Sequence, residues 1–147
     1  MEHKLQIVIK GNPVSASRPV FNSSSKGRKA FIAPKYRAYK NGIEVDYWNK
    51  YRNKQLFDRG VPLSARIYVY RSIQKGLSKA EYSRRANHEV RPTVKPDLDN
   101  YIKAIQDGLK RAWFDDGQIV EYDAKKFYDE NPRVEIEIKE LNSVETD

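Results

Sequence analysis

Three segments of the chain alternate between apolar and polar residues, and this pattern limits the folds that the chain can adopt. Their apolar positions are Leu5, Ile7 and Ile9; Leu63, Ala65, Ile67 and Val69; and Val134, Ile136 and Ile138. Because successive side chains of a strand point to opposite faces, each pattern predicts a strand with one buried face. The third strand is expected over 133–139, and a fourth strand over 118–127. The sequence therefore predicts a sheet of about four strands.

Two longer segments repeat apolar residues every three or four positions, the spacing of one helix face. The first helix begins at Pro34, a residue suited to a helix start, and is expected to reach about Leu56. The second runs from Leu98 to Trp113, and a short helix is expected over 78–85. The order β-α-β-(insert)-α-β-β predicts an α+β fold, in which a mixed or antiparallel sheet packs with two main helices.

The length and composition favour one small domain covering residues 1–147. Within it we expect a flexible basic loop at 12–33, a basic insert at 72–95 and a polar tail at 142–147. The chain has no cysteine, which excludes disulfides and thiolate metal sites. No apolar run is long enough for a membrane span or a signal peptide, so the expected location is cytoplasmic, without a membrane partner.

Basic residues dominate the chain, which has a net charge of +8. Residues 1–114 carry 24 Lys and Arg against nine Asp and Glu, concentrated in two stretches that lead toward residue 97. Such stretches favour binding to a phosphate backbone. The predicted DNA-binding residues are Arg18, Lys26, Arg28, Lys29, Lys35, Arg84, Arg85, Arg91 and Lys95.

Against this background, two pairs of carboxylates occur within twenty residues: Asp97 with Asp99, and Asp115 with Asp116. Carboxylates brought close together repel one another, and a bound cation relieves that repulsion. The residues therefore predict a Mg²⁺ site, with Mn²⁺ as a substitute, in an enzyme that acts on a polyanion. Lys103 lies between the two pairs, where it could stabilise charge that develops in the reaction.

The spacing also gives local expectations. If the backbone is extended at Asp97 and Asp99, both side chains leave the same face. Asp99 or Asn100 would then cap the helix, and Lys103 would follow one turn after Asp99. The segment 115–117, Asp-Asp-Gly, is a typical turn. It returns to Asp97 only if the helix and the next strand pack as a hairpin-like unit.

The stretch Lys95–Leu109, KPDLDNYIKAIQDGL, followed by Trp113–Val120, WFDDGQIV, resembles the RusA family of Holliday junction resolvases. In that family a D-L-D-N-x-x-K segment opens a helix containing D-x-L, and a D-D-x-Q-[IV] segment begins the next strand. The loop Gly11–Pro19, with its proline and arginine, resembles the family more loosely.

The resemblance implies a RusA-like fold and carries residue roles over by position. The family's metal-binding carboxylates fall on Asp97, Asp99 and Asp116, its essential lysine falls on Lys103, and Asp115 matches an acidic neighbour. The implied protein is a Mg²⁺-dependent endodeoxyribonuclease that resolves Holliday junctions by paired symmetric nicks, in DNA recombination and repair. The resemblance further implies a homodimer, four-way junction DNA as the partner, no small-molecule cofactor, and often a phage or prophage gene.

Three alternatives remain open from the residues. The chain could be a nuclease for a broader range of branched or flap DNA, or a non-catalytic protein that binds branched DNA. It could also be a Mg²⁺-dependent nucleotide hydrolase. Two long basic stretches count against the hydrolase, because a small substrate does not need them.

Overall fold

A four-stranded sheet forms the centre of the computed structural model, which describes residues 4–17, 20–21, 30–31 and 33–141. The strands are β1 (Lys4–Lys10), β4 (Leu63–Arg71), β5 (Ile119–Tyr128) and β6 (Arg133–Glu140). They lie in the order β1-β6-β4-β5, with β6 antiparallel to β1 and β4, and β5 parallel to β4. The predicted α+β fold with a mixed sheet of four strands is confirmed.

The buried face of the sheet is built from the alternating residues. Ile67 of β4 lies opposite Ile136 of β6, which lies opposite Ile7 of β1. All three side chains are buried in one core that also includes residues of the two main helices. The alternation that predicted these strands is therefore the burial pattern of the folded protein.

The first main helix, α1 (Pro34–Tyr51), is shorter than predicted. The expectation that it reaches Leu56 is wrong, because Arg52 adopts the left-handed conformation, with φ 56° and ψ 37°. Leu56 N and Phe57 N then both donate to Ala112 O at 3.0 Å. The chain after the helix is thus bound to a distant segment, which periodicity within α1 cannot reveal.

The second main helix, α3 (Leu98–Gly108), is also shorter than the predicted segment to Trp113, and a 3₁₀ turn at Lys110–Ala112 follows it. Its C-terminal end approaches α1 closely. A Cβ added at Gly108 would lie 2.6 Å from Ile43 Cγ2 and 2.7 Å from Ile43 Cβ. Only glycine allows the two helices this separation.

The basic insert contains α2 (Lys79–Ala86), close to the predicted helix over 78–85. Ser78 is its N-cap, and the hydroxyl oxygen accepts a hydrogen bond from Glu81 N at 3.1 Å. This pairing satisfies one of the backbone donors that every helix start leaves free.

A stack of side chains joins the insert to the sheet. The guanidinium of Arg91 lies 4.2 Å from the ring centre of Phe127, which stacks on Tyr70 at 5.0 Å and 14°. Arg133 covers the other side of Tyr70 at 3.9 Å. Cation–π contacts of this kind are stabilising, so Arg91 fixes the insert to the ends of β4 and β5, beside the start of β6.

The predicted loop 12–33 contains two short strands, β2 (Val20–Phe21) and β3 (Ala30–Phe31), which pair antiparallel. The expectation of a loop without strands is therefore wrong, since two-residue strands are too short to give an alternation pattern. Residues 18–19, 22–29 and 32 lie outside the described residues, as does the predicted tail 142–147. Of the helices that the structure describes, none is both long and apolar enough to cross a membrane.

Candidate metal centre and nucleic-acid interface

The first carboxylate pair, Asp97 and Asp99, lies at the N-terminal end of α3. Asp97 is the N-cap, although its side chain caps no backbone N–H, and Asp99 lies within the first turn. The expectations of an extended backbone at Asp99, and of a cap at Asp99 or Asn100, are therefore wrong, because the helix begins at Leu98. Both carboxylates are exposed, and neither forms an ion pair within the described residues. The positive end of the helix dipole favours carboxylates here, and they can reach a cation.

The second carboxylate pair, Asp115 and Asp116, lies beyond the other end of α3. Asp115 Oδ1 accepts a hydrogen bond from Gly117 N at 2.9 Å and caps the 3₁₀ turn Asp116–Gln118, which confirms the predicted turn. Trp113 Nε1 donates to Asp116 Oδ1 at 2.9 Å. Because the Trp113 side chain is buried, this bond gives the Asp116 carboxylate a defined orientation.

Gln118 holds the second carboxylate pair in place. It is buried, and its Oε1 accepts from Phe114 N at 2.9 Å and Asp115 N at 3.0 Å. Its Nε2 donates to Asp58 O at 2.9 Å and Val61 O at 3.0 Å. Every hydrogen bond suited to the amide is thus made. This role of Gln118 was not predicted from the sequence, although the D-D-x-Q pattern contains the residue.

The first carboxylate pair adjoins the ends of β4 and β5. Arg71 Nη1, at the end of β4, donates to Lys95 O at 3.2 Å. Lys126 Nζ, near the end of β5, donates to Val94 O and Pro96 O, both at 3.1 Å. These bonds fix the segment that leads into Asp97, and they make Arg71 and Lys126 the cations of this region.

The second carboxylate pair lies at the opposite end of the strands, where β4 and β5 begin. Ile119 lies opposite Leu63 at the first position of both strands, directly after the turn that contains Asp116. The 11-residue helix between the pairs is about 16 Å long at the rise of an α-helix. Among the described residues, no three metal-binding side chains lie together. A single chain therefore does not bring the four predicted ligands to one point.

The strand order explains this separation. Since β5 is parallel to β4, the chain after α3 must return to the start of β4 before it can enter the sheet. The strand then carries Lys126, rather than Asp116, toward Asp97. The sequence made the return of Asp115 or Asp116 to Asp97 conditional on a hairpin-like packing of α3 and the next strand, and the described residues of one chain do not bring these carboxylates together.

Lys103 lies on α3 between the two pairs, with 61% of its side chain exposed. Its Nζ is 3.5 Å from Asp107 Oδ1, one turn further along the helix, whereas the sequence analysis expected it near Asp99. Asp107 Oδ2 in turn accepts a hydrogen bond from the hydroxyl of Tyr36. Burial, and then this contact with Asp107, raise the pKa of Tyr36, so the hydroxyl stays protonated and anchors Asp107.

The predicted DNA-binding residues divide into three groups. Lys35, Arg84 and Lys95 are exposed, although Arg84 also pairs with Glu81 at 3.1 Å. Arg85 and Arg91 are engaged within the protein: Arg85 pairs with Glu81 at 2.9 Å, and Arg91 lies over Phe127. The remaining residues, Arg18, Lys26, Arg28 and Lys29, lie outside the described residues.

The outer edge of β5 carries exposed apolar side chains close to the second carboxylate pair. Val120 is 56% exposed and Tyr122 44%, and Phe114, just before the turn, is 46% exposed. The hydroxyl of Tyr122 accepts a hydrogen bond from Gln106 Nε2 of α3. Burial, and then the nearby Asp116 carboxylate, raise the pKa of Tyr122, which keeps this hydroxyl neutral.

Comparison with known proteins identifies the family. The model of the family described as endodeoxyribonuclease RusA matches residues 10–139. A Bacillus subtilis protein named as uncharacterized protein YqaN is 30% identical over 142 residues, covering 95% of this chain and 98% of the relative. A Lactococcus phage r1t protein named crossover junction endodeoxyribonuclease rusA is 35% identical over 94 residues, or 63% of this chain and 65% of the relative. The chain belongs to the RusA family of endodeoxyribonucleases.

Proposed function

We propose that the protein is a Mg²⁺-dependent endodeoxyribonuclease that resolves Holliday junctions by paired symmetric nicks, in DNA recombination and repair. The observation that carries the proposal is a pair of carboxylate sites at the two ends of α3 in a chain of this nuclease family. The phage relative, named as a crossover junction enzyme, supports the choice of substrate and a prophage origin.

The proposed metal ligands are Asp97, Asp99 and Asp116, with Asp115 beside them. Mg²⁺ binds oxygen ligands, keeps several waters, and needs only one or two carboxylates together with substrate phosphates. The first carboxylate pair fits this requirement, since both side chains are exposed without a cationic partner among the described residues. When bound, Mg²⁺ or Mn²⁺ supplies an activated water and neutralises charge on the phosphate oxygens.

A homodimer would complete the site that one chain leaves divided. In the described sheet, β5 is an edge strand, and such an edge presents unpaired backbone groups to another chain. If two β5 edges pair antiparallel about a twofold axis, the start of each strand lies beside the end of the other. The first carboxylate pair of one copy, which adjoins the end of β5, then faces the second pair of the other copy, which precedes β5.

The exposed residues of this edge support its use as an interface. Phe114, Val120 and Tyr122 are apolar or aromatic, as is typical of the centre of interfaces. A twofold dimer contains two equivalent composite sites. Two sites related by symmetry can nick two strands of a four-way junction at symmetric positions, which paired resolution requires.

The remaining roles follow from position. Lys103, exposed on α3 between the two carboxylate pairs, would stabilise the negative charge that develops on the phosphate during cleavage. Lys35, Lys95 and Arg84 would bind the DNA backbone. The same role is proposed for the other predicted residues, which are Arg18, Lys26, Arg28, Lys29, Arg85 and Arg91.

A gel assay of a labelled four-way junction beside a linear duplex of the same sequence tests the proposal. We expect Mg²⁺-dependent cleavage of the junction alone, with nicks in two opposed strands that leave ligatable duplexes. Equal cutting of flaps and forks would favour the broader branch nuclease, and binding without cutting would favour a non-catalytic protein. Hydrolysis of free nucleotides with no cutting of DNA would favour the nucleotide hydrolase.

A further inference from the structure

A cavity of about 430 Å³ opens beside the first carboxylate pair. It lies between the loop after β1, the start of α1, the end of β4 and the residues around Asp97. Its lining includes Asn12, Ser17, Lys35, Arg71, Pro96 and Tyr101. The volume is within the range of pockets that hold small ligands. Of the lining residues named here, only Lys35 has a role in the proposed function, as a contact to the DNA backbone.

Two polar side chains in the lining are held in fixed positions. Asn12 Oδ1 accepts a hydrogen bond from Ser72 N at 3.1 Å, so the amide NH₂ is the group left to donate. Arg71 Nη1 donates to Lys95 O at 3.2 Å, and the rest of the guanidinium keeps its donors. Groups fixed in this way lose little conformational entropy when a ligand binds.

Ser17 provides an independent sign of a ligand. Its Oγ is buried and has no hydrogen-bond partner within the described residues. Buried polar atoms are nearly always paired in folded proteins, because an unpaired one costs free energy. The loop that carries Ser17 is tied to α3 by Ala16 N, which donates to Asn100 O at 2.9 Å. A polar ligand in the cavity would satisfy the Ser17 hydroxyl.

The lining combines apolar walls with polar and basic groups, which suits a ligand that has apolar faces and a polar edge. Pro13, Val14 and Pro96 provide apolar walls. Tyr101 adds a hydroxyl, which can donate or accept a hydrogen bond. Arg71 and Lys35 add positive charge at the same place, which suits the phosphates on either side of a base in a DNA strand.

We propose that this cavity takes one unstacked nucleobase of the DNA strand that is cut, and that Asn12, Ser17 and Arg71 read its edge. The cavity adjoins Asp97 through Pro96, so a base held there would be close in sequence to the scissile phosphate. Unstacking costs least where bases are already poorly paired, as at the centre of a junction. The inference rests on the proposed function and adds sequence selectivity to it.

Binding without cleavage is the first test. A junction carrying 2-aminopurine at successive positions around the cut is mixed with the protein in EDTA, and fluorescence is measured. We expect a rise at one position only, because 2-aminopurine brightens when it leaves the stack. Asn12→Ala and Ser17→Ala should reduce that rise, whereas Asn49→Ala, an exposed change on α1, should leave it unchanged. Equal signals from all four proteins would overturn the proposal.

Cleavage is the second test, with Mg²⁺ and junctions of varied central sequence. The wild-type protein should prefer certain sequences, and an abasic residue at the bright position should slow cutting by about tenfold, as loss of contacts to one base does. Asn12→Ala should cut the preferred and other junctions at similar rates. If the wild-type protein cuts junctions and Asn12→Ala keeps the same sequence preference, the cavity proposal is wrong and the proposed function stands. If the wild-type protein cuts no junction, the proposed function fails.

Discussion

Asp97 and Asp116 lie at opposite ends of α3, although both match metal ligands of the family. Asp97 adjoins the ends of β4 and β5, and Asp116 adjoins their starts. The parallel pairing of β4 with β5 imposes this arrangement. One chain therefore holds the two carboxylate pairs apart, and in the proposed homodimer a second copy would join them.

Mixing two inactive variants tests the composite site. Asp97→Asn and Asp116→Asn should each abolish junction cleavage as homodimers. In a mixed dimer, one composite site receives both changes and the other receives neither, so one site is intact. After subunit exchange about half of the dimers are mixed, and each mixed dimer has one intact site out of two. We therefore expect about a quarter of the wild-type number of active sites. The measurement is the rate of single nicks on a four-way junction.

The control for this experiment mixes Asp97→Asn with Asp99→Asn. These changes fall on the same carboxylate pair, so no composite site is intact and no activity should return. Binding of the junction should survive in all of the variants, because phosphate contacts supply most of the affinity. A mixed Asp97→Asn and Asp116→Asn dimer that stays inactive would place the complete site within one chain.

Val120→Asp tests the dimer surface. A charge at exposed Val120, near the start of β5, should weaken an interface formed at this edge, because it would be buried without a partner. We expect a monomer by light scattering and a loss of cleavage. Val45→Asp is the matched control, since Val45 is similarly exposed but lies on α1. A dimer that survives Val120→Asp at micromolar concentration would place the interface elsewhere.

Lys103→Ala separates catalysis from binding. Because Lys103 lies between the carboxylate pairs, we expect kcat to fall by about 100-fold, the scale for removing one stabilising group, while junction affinity changes little. Lys54→Ala changes an exposed lysine in the segment after α1, outside the two carboxylate pairs, and should behave as wild type. If Lys103→Ala lowers affinity and leaves kcat unchanged, the lysine is a backbone contact rather than a catalytic residue.

Arg84 and Arg85 should differ although they are adjacent on α2. Arg84→Ala should weaken junction binding and reduce its dependence on salt, because 56% of the Arg84 side chain is exposed and its pairing with Glu81 leaves donors that can bind a phosphate. Arg85 pairs with Glu81 and covers the ring of Tyr128 at 4.5 Å, so Arg85→Ala should lower the Tm and affect binding less. Binding titrations at several salt concentrations and melting curves measure the two effects. If Arg84→Ala lowers the Tm while Arg85→Ala weakens binding, the roles assigned to the two arginines are wrong.

Gly108→Ala should destabilise the protein by about 1–2 kcal/mol, because its methyl group would overlap Ile43. Gly42→Ala on α1 is the matched control: its new Cβ would meet nothing within 4 Å. Replacing a glycine inside a helix with alanine stabilises by about 0.5–1 kcal/mol, so Gly42→Ala should raise the free energy of unfolding. Urea unfolding of both variants measures the difference, and a stabilised Gly108→Ala would contradict the observed helix packing.

The sheet could be predicted because its signal is local. Residues 63–69 alternate in sequence as they do in the folded strand, and the same holds for 134–138. The end of α1 could not be predicted. A helix often ends at a glycine in the left-handed conformation, but here that conformation is adopted by Arg52. The bond from Leu56 to Ala112 that follows joins segments far apart in sequence.

The site was predictable in its residues and not in its arrangement. Motif matching selected Asp97, Asp99 and Asp116 without knowledge of strand order. Whether they meet depends on how β5 pairs, and a parallel partner leaves no mark in the sequence of either strand. Asp99 and Asp107 each lie one helical turn from Lys103, in opposite directions. The sequence does not distinguish these two partners, and in the structure Lys103 contacts Asp107.

The bond between Trp113 and Asp116 gives the protein an optical property. The chain has two tryptophans, of which Trp48 is 48% exposed and Trp113 only 4%. A buried indole emits at shorter wavelength than an exposed one, so the two contributions are separable in Trp48→Phe protein. Because the Trp113 indole donates directly to the carboxylate, any charge that settles on Asp116 changes the electric field at the ring. The second carboxylate pair therefore carries its own fluorescent reporter.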